Sequence, residues 1–350
     1  MIVDPGPETT LALLNPGGRA EFPVDPGQVG LVLPLLSPAE VALLSYDEVL
    51  LRVRLGARSA TIGEQVRGYL PSIAGGELFA LIPAARAGTC TYLQSRRLVH
   101  YDFDAHNHRV DMVAHGEEMA VAAAWLGPRE DAVVVQIEDT SRYDEGGLTL
   151  SRLTAFDLTG PRGTRLGAIE LPRLIARGRG WSAGGGLLGV IVEGELQVFD
   201  AGLQRRSDHP LALAARALAA EAPGALQELR IHPHAPLALL ATQERDLFGL
   251  RDYALWWVRW SGSTATRQLA CRLRAIGGLS LGAFAPEDEW VDLRVDSSGA
   301  TRLVLLARTR ALDLGAIRGL QAGCWSTGPL RYLAFEPDAD QILIYVPGAV

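Results

Sequence analysis

Residues 99–110 read Val-His-Tyr-Asp-Phe-Asp-Ala-His-Asn-His-Arg-Val, an apolar segment that ends in aromatic residues and Asp, turns, and resumes at Arg109. Alternating apolar residues on both sides of a polar turn predict two antiparallel strands joined as a hairpin. The same order of residues recurs three times along the chain, at 155–166, 198–206 and 257–269. Such recurrence indicates an all-β repeat architecture.

A second pattern lies upstream of some of these hairpins. An apolar strand breaks at a turn that contains Pro with acidic or His residues, and then resumes, at 229–234, 283–288 and 334–338. We interpret His232 in the first copy as a residue that caps the turn. The pattern resembles the inner-strand turn of WD40-like β-propellers, commonly F-x-P-D-G, although the Gly is absent in every copy. The GH and WD dipeptides of regular WD40 repeats are also missing, so the resemblance is to the degenerate WD40-like superfamily.

Both patterns together divide the chain into six complete repeats and one that is split between the chain ends. The six are residues 29–66, 76–115, 117–170, 174–209, 227–273 and 277–320. We expect 331–346 and 9–24 to supply two strands each to a seventh sheet, because closing a ring removes exposed strand edges. The resemblance and this count imply a single all-β domain, residues 1–350. It is expected to be a seven-bladed β-propeller closed by pairing of N- and C-terminal strands, with one short helical insertion at 211–222.

The composition indicates a globular protein that stays out of the membrane. Hydrophobic residues make up 48% of the chain and charged residues 21%. No apolar run reaches the roughly 18 residues that a membrane-spanning helix needs. The first residues have neither the basic start nor the apolar segment of a secretory signal. We therefore expect a cytoplasmic location.

Arginine carries all the basic charge, because the 33 Lys-plus-Arg residues are all Arg. This excludes Schiff-base chemistry, a phosphate-loop lysine and a lysine-activated serine. The net charge of −7 disfavours broad nucleic-acid binding. The three cysteines, Cys90, Cys271 and Cys324, are far apart and odd in number. We expect buried thiols rather than a disulfide framework or a metal site.

One segment concentrates the residue types that bind divalent metals. It contains Asp102, Asp104, His106 and His108, with His100 and His115 on either side. Successive strand residues point to opposite faces, so only alternate members would face the same way. We interpret the group as polar residues of an exposed turn, and we predict no metal and no cofactor.

Two long segments are expected to join the second and third strands of their blades, at 139–147 and 243–252. Such connections lie on the same face as the links between blades, which places the helix at 211–222 beside them. The segments combine Arg with aromatic residues, as protein interfaces do. We predict that a protein partner binds through Arg142, Tyr143, Arg245, Phe248, Arg251 and Tyr253. We assign three nearby aromatic residues to the core instead, namely Trp256, Trp257 and Trp260.

The leading functional hypothesis is a non-enzymatic protein–protein interaction scaffold within a bacterial multi-protein system. One alternative is a propeller enzyme of the hydrolase or lactonase kind, with a divalent metal in the central channel. A second alternative is a binder of nucleic acid or another anionic ligand through arginine patches. The sequence lacks the esterase elbow, the phosphate loop, the HExxH zinc motif and the dinucleotide-binding motif. Because a fold alone does not fix function, these hypotheses are separated by the site.

Overall fold

A computed structural model of the chain describes residues 10–14, 29–34, 40–45, 49–55, 60–67, 79–82, 84, 86, 88–143, 149–171, 178–221, 224–247, 250–285, 288–297, 300–317, 322–326, 331–336 and 341–346. Within these residues, 27 strands and one helix are found. The strands form six antiparallel sheets of four strands and one of three. The chain is therefore almost entirely β, as its repeat patterns predict.

Five consecutive sheets follow the order of the chain from the inner to the outer strand. The first contains β6 (Phe79–Ile82), β7 (Thr89–Gln94), β8 (Arg97–Asp102) and β9 (Asn107–Met112). The second contains β10 (Glu118–Trp125), β11 (Ala132–Tyr143), β12 (Thr149–Asp157) and β13 (Thr164–Glu170). The third contains β14 (Trp181–Gly184), β15 (Leu187–Val192) and β16 (Glu195–Asp200). The fourth contains β17 (Ala225–Ile231), β18 (Leu237–Leu247), β19 (Leu250–Ser261) and β20 (Thr264–Ile276). The fifth contains β21 (Leu279–Phe284), β22 (Val291–Ser297), β23 (Ala300–Leu306) and β24 (Ala311–Ile317).

The apolar cores lie between consecutive sheets. Leu255 and Trp257 of β19, for example, share a core with Leu281 of β21 and Leu293 of β22 in the next sheet. The inner strands β10, β14, β17 and β21 contact one another in succession. Sheets that pack face to face around their inner strands are the blades of a β-propeller. The side chains described here establish five such blades, fewer than the seven that the sequence predicts.

The two remaining sheets contain the ends of the chain. One contains β2 (Val29–Pro34), β3 (Glu40–Ser45), β4 (Val49–Leu55) and β5 (Ala60–Arg67). The other contains β25 (Ala322–Ser326), β26 (Arg331–Glu336), β27 (Gln341–Val346) and β1 (Thr10–Leu14), in that order.

The chain ends pair as predicted, but with a different division of strands. β1 is antiparallel to β27, with Thr10 opposite Val346 and Leu14 opposite Ile342. Three C-terminal strands and one N-terminal strand form this sheet, so the prediction of two from each end is wrong. The missed strand is β25, whose sequence, Ala-Gly-Cys-Trp-Ser, lacks the apolar alternation that marks most inner strands. The second N-terminal strand predicted after the turn at 15–18 lies outside the described residues.

The recurring hairpin pattern is confirmed as the third-to-fourth-strand hairpin of its blades. Arg109 pairs with His100 across β8 and β9. In the other copies Arg165 is opposite Phe156, and Arg267 is opposite Val258. Two of the three Pro-containing turns join β17 to β18 and β21 to β22, as expected of inner-strand turns. The third, at 334–338, follows β26, the second strand of its sheet, so its assignment as an inner-strand turn is wrong.

The blade β14–β16 has three described strands, and a helix completes it. An isolated bridge pairs Phe199 with Arg205 beyond β16. The chain then enters α1 (Pro210–Glu221), which confirms the predicted helix. This helix contacts β16, β19 and β20, so it lies at the outer edge of the blade, where its neighbours have a fourth strand. Among the described residues, no helix is long and apolar enough to cross a bilayer.

Candidate functional site

The segment 243–252, expected as an open loop, is instead the end of a long hairpin. Strands β18, β19 and β20 span 11, 12 and 13 residues. Arg245 pairs with Asp252, and Leu247 pairs with Leu250. On the other side of β19, Leu250 pairs with Ile276 at the end of β20. Continued strand pairing therefore holds this segment as a three-stranded projection.

The two faces of this projection differ, because side chains alternate along a strand. On one face, Tyr253 is only 3% exposed and packs with Ala275 in the core shared with the next blade. The prediction that Tyr253 binds a partner is therefore wrong: the strand register turns it inward. Arg251 lies two residues before Tyr253, on the same face, and is half-buried.

The opposite face carries the group that we call the hairpin tip: Leu250, Asp252, Arg274 and Ile276. Leu250 is 41% exposed and Ile276 is 49% exposed, although they are neighbours in register. Behind them, Arg274 Nε donates to Asp252 Oδ1 at 2.6 Å. The tip therefore places two exposed apolar side chains beside an ion pair.

The remaining predicted partner-binding residues are placed only in part. Arg142 and Tyr143 lie at the end of β11, where Tyr143 pairs with Thr149, and their side chains lie outside the described part of the structure. The same holds for the side chain of Arg245, at the corresponding end of β18. Phe248 lies outside the described residues. The segment 139–147, like 243–252, is thus partly an extension of a strand.

The sequence analysis expected helix α1 to lie on the same face as the two hairpins. This expectation is wrong, because the helix packs along the outer strands. Trp256 and Trp260 share one face of β19 and pack with residues of α1, including Leu211 and Leu218. Trp257, from the other face, packs in the core shared with the next blade. The assignment of these tryptophans to the core is confirmed.

The residues considered as metal ligands face separate partners. Asp102 accepts backbone N–H groups from the turn and also pairs with Arg86 Nη2 at 3.1 Å. Asp104 pairs instead with Arg52 Nη1 at 2.9 Å, and His106 and His108 are exposed. Within the described part of the chain, no group of three or more His, Cys, Asp or Glu side chains is arranged to hold a metal.

His100 belongs to a polar contact between two blades. Its Nδ1 lies 2.7 Å from Thr91 Oγ1, and its ring packs edge-on against Trp125 of the next blade at 5.8 Å. Its Nε2 is 3.8 Å from Glu130, which also accepts from Thr89 Oγ1 at 3.0 Å. Burial lowers the pKa of His100, against the opposing influence of Glu130. We interpret this group as structural.

His232 caps its turn, as predicted, and also links two blades. Its Nδ1 accepts the backbone N–H groups of His234 and Ala235, at 3.0 and 2.9 Å. Its Nε2 lies 3.2 Å from the carbonyl oxygen of Asp288 in the next blade. Burial lowers the pKa of His232. The neutral ring fits this arrangement, with Nδ1 as acceptor and Nε2 as donor.

A charged group that the sequence analysis missed lies where the inner strands of three blades meet. We call it the inner-strand cluster: Arg179, Glu228, Arg230, Asp292 and Arg294. Arg230 lies on β17 between the neighbouring inner strands. Its Nε donates to the Gly282 carbonyl at 2.8 Å and its Nη1 to the Trp181 carbonyl at 3.2 Å.

The carboxylates of the cluster are deeply buried. Glu228 is 4% exposed and Asp292 is 1% exposed. Asp292 accepts from Tyr332 Oη of β26 at 3.0 Å and from the Ala283 N–H at 2.8 Å. A Cβ at Gly282 would overlap the Asp292 carboxylate, so glycine leaves it room. Burial raises the pKa of both carboxyl groups. The signal in the sequence was charge at alternate positions, 228 and 230, within a strand that also contains four apolar residues.

The thiols are buried where the structure describes them. Cys90 and Cys271 are both buried free cysteines, as predicted. Burial raises the pKa of Cys271 to about 11 and raises that of Cys90 further. Thiols with raised pKa values are weak nucleophiles. The side chain of Cys324, on β25, lies outside the described part.

The chain matches no protein-family model, and no curated protein matches it. Solved structures do match its fold. The oligogalacturonate lyase from Vibrio parahaemolyticus superposes with a TM-score of 0.57 at 8% identity, and the match covers 97% of each chain.

Two further matches are looser. The putative TolB from Agrobacterium tumefaciens has a TM-score of 0.44 at 12% identity and covers 83% of this chain and 95% of its own. YCF48 bound to D1 peptide has a TM-score of 0.48 at 9% identity and covers 97% of each chain. At such identities the likeness shows the β-propeller fold alone. A fold alone does not fix a function.

Proposed function

We propose that this β-propeller is a non-enzymatic scaffold that binds a protein partner through the hairpin tip. The observation that carries the proposal is the exposure of Leu250 and Ile276, which are neighbours at the end of a projecting hairpin. Exposing apolar surface costs about 25 cal/mol per Å². Single exposed apolar residues are common, whereas adjacent ones bordered by polar groups are typical of interfaces.

The surroundings of the tip favour a protein over a polyanion. The arginines along β20 already have acidic partners: Arg274 pairs with Asp252, Arg272 with Glu244 and Arg267 with Glu221. Ion pairs around an apolar centre form the polar rim of a protein interface. A nucleic-acid surface would instead present unneutralised arginine.

Site-specific photo-crosslinking tests this proposal in extracts of the native cell. A photo-reactive residue at position 276 is compared with one at Leu166, an exposed residue (44%) on an outer strand of another blade. We expect a discrete adduct from position 276 that is lost when Leu250→Asp is added, and no such adduct from position 166. Equal amounts of adduct from both positions would count against the tip as the binding surface. An adduct from position 276 that persists when Leu250→Asp is added would count against it as well.

We further propose that the chain forms the complete seven-bladed ring in the cytoplasm of a bacterium, within a multi-protein system. Strand β2 contacts both β25 and β7, which supports assigning the two end sheets as the remaining blades.

Cross-linking of the chain ends tests this closure. In an antiparallel pair of strands, the distance between directly opposite residues alternates between wide and narrow along the strands. One of the two double variants, Ala12→Cys with Ile344→Cys or Leu11→Cys with Tyr345→Cys, is thus expected to form a disulfide. Failure of both to cross-link would overturn closure by the chain ends.

A further inference from the structure

Strand β9 forms the outer edge of its sheet. It pairs with β8, and no other described strand pairs with it. A strand at the edge of a sheet has a row of backbone N–H and C=O groups that can pair with another extended chain. Natural proteins restrict such pairing with charged side chains or covering segments, so the side chains of β9 decide what its edge can do.

One face of β9 carries exposed apolar side chains. Val110 is 42% exposed and Met112 is 50% exposed, and they share a face because they lie two residues apart. Val99, directly opposite Val110 on β8, is by contrast fully buried. The buried layer on this face therefore ends at β8 and leaves the apolar side chains of β9 at the surface.

The other face of β9 carries two charges that neutralise each other. Arg109 donates to the Asp111 carboxylate through Nε and, at 3.1 Å, through Nη2. The next blade holds both side chains in place. Its Gly163 N–H donates to Asp111 at 2.8 Å, and its Leu158 carbonyl accepts from Arg109 Nη1. A strand that approaches this edge therefore meets no uncompensated charge.

The order of these side chains lets β9 pair with a copy of itself. In an antiparallel pair with a two-fold axis at Val110, residues equally far from Val110 on either side stand opposite each other. Arg109 of one copy then stands opposite Asp111 of the other, and His108 stands opposite Met112. Opposite charges favour such cross-strand pairs, whereas like charges disfavour them. The edge strand β20 lacks this complementarity, because its charged residues are all arginine.

We propose that β9 is a docking surface for a second copy of this chain, and that the two sheets join edge to edge in a two-fold symmetric dimer. Backbone hydrogen bonds supply the affinity of such strand addition, and the side chains fix its register. Because β9 spans only six residues, the contact is small and the dimer should dissociate on dilution. The surface is separate from the hairpin tip, which lies in another blade, and does not depend on the function proposed for that tip.

A cysteine at the two-fold axis tests the register. Val110→Cys in the full chain should form a disulfide-linked dimer under mild oxidation, because directly opposite strand residues are within reach of a disulfide. Met112→Cys is the matched control, on the same face and more exposed. Its two copies would lie about 13 Å apart along the strands, too far for a disulfide, so only the background of the parent chain is expected. No dimer from Val110→Cys, or as much dimer from Met112→Cys, would overturn the proposal.

Analytical ultracentrifugation measures the dimer without a cross-link. We expect the parent chain to shift from monomer to dimer as its concentration rises. Val110→Glu and Val110→Arg should each raise the dimer dissociation constant at least about tenfold, because like charges then meet at the axis. An equimolar mixture of the two variants should dimerise again, because opposite charges then meet there.

Leu166→Glu is the control for an added charge, at an exposed position of the outer strand β13. It should leave dimerisation unchanged. A parent chain that stays monomeric at every concentration would refute the docking surface. So would a dimer that persists in both Val110 variants, or a mixture of them that stays monomeric.

Discussion

Tyr253 and Leu250 lie three residues apart on one strand, and we predict opposite consequences for their replacement by Ala. Tyr253 is 3% exposed in the core between two blades. Aromatic side chains bury roughly 150–250 Å² each, which corresponds to about 4–6 kcal/mol at 25 cal/mol per Å². Aromatic-to-Ala changes in cores cost about 3–5 kcal/mol. We therefore expect Tyr253→Ala to lower the free energy of unfolding by about 4 kcal/mol.

Leu250→Ala is the matched variant, because it shortens an apolar side chain of the same strand on the opposite, exposed face. At 41% exposure, its loss should change stability by no more than about 0.5 kcal/mol. Urea unfolding followed by tryptophan fluorescence measures both. The partner adduct should weaken in Leu250→Ala. A cost below about 1 kcal/mol for Tyr253→Ala would refute the assignment of its face, and with it the orientation of the hairpin tip.

Three further outcomes are expected. A Cβ at Gly184 would lie 2.9 Å from the carbonyl oxygens of Ile231 and His232 in the next blade. Gly184→Ala should therefore lower the free energy of unfolding by roughly 1–3 kcal/mol. Gly160→Ala, whose Cβ would have its nearest atom at 3.7 Å, should leave the thermal melt almost unchanged. The lowered pKa of His232 means that the unfolded chain binds its proton first, so the free energy of unfolding should fall as pH drops below about 6.5, and less steeply in His232→Asn. Because burial raises the pKa of Glu228, the protein loses stability as pH rises above about 4.3, the pKa of this group in the unfolded chain. Glu228→Gln should therefore be more stable than the parent at pH 7, by up to about 1 kcal/mol. A less stable variant would contradict the argument that burial destabilises the charged carboxylate.

The repeating hairpins were predictable because the signal is local. Two apolar strands and their turn lie within about a dozen residues, and strand alternation fixes their pairing. The positions of Arg165 and Arg267 opposite Phe156 and Val258 follow from this. Where the alternation fails, as in the inner strand β25, the prediction also fails. Missing that strand changed the count of C-terminal strands from three to two.

The site was less predictable, because it depends on register and on distant segments. Tyr253 was assigned to a loop, yet Arg245 and Asp252 pair across the hairpin and extend the strands. Once the strands extend, alternation turns Tyr253 into the core. In the inner-strand cluster, Arg230 reaches carbonyl groups about 50 residues away in both directions. Nothing in the sequence brings those segments together before the blades are assembled.

The location of the hairpin tip follows from where the blades pack against one another. Among the described residues, Leu255 and Trp257 on one face of β19 pack against the next blade. On the other face of β19, Trp256 and Trp260 pack with α1. Leu250, at the end of the same face, lies beyond these residues and is exposed. Residues beyond the packed region contribute little to stability, so they can change without loss of the fold. A strand that continues past the packed region can therefore present apolar side chains for binding while the blades that support it stay intact.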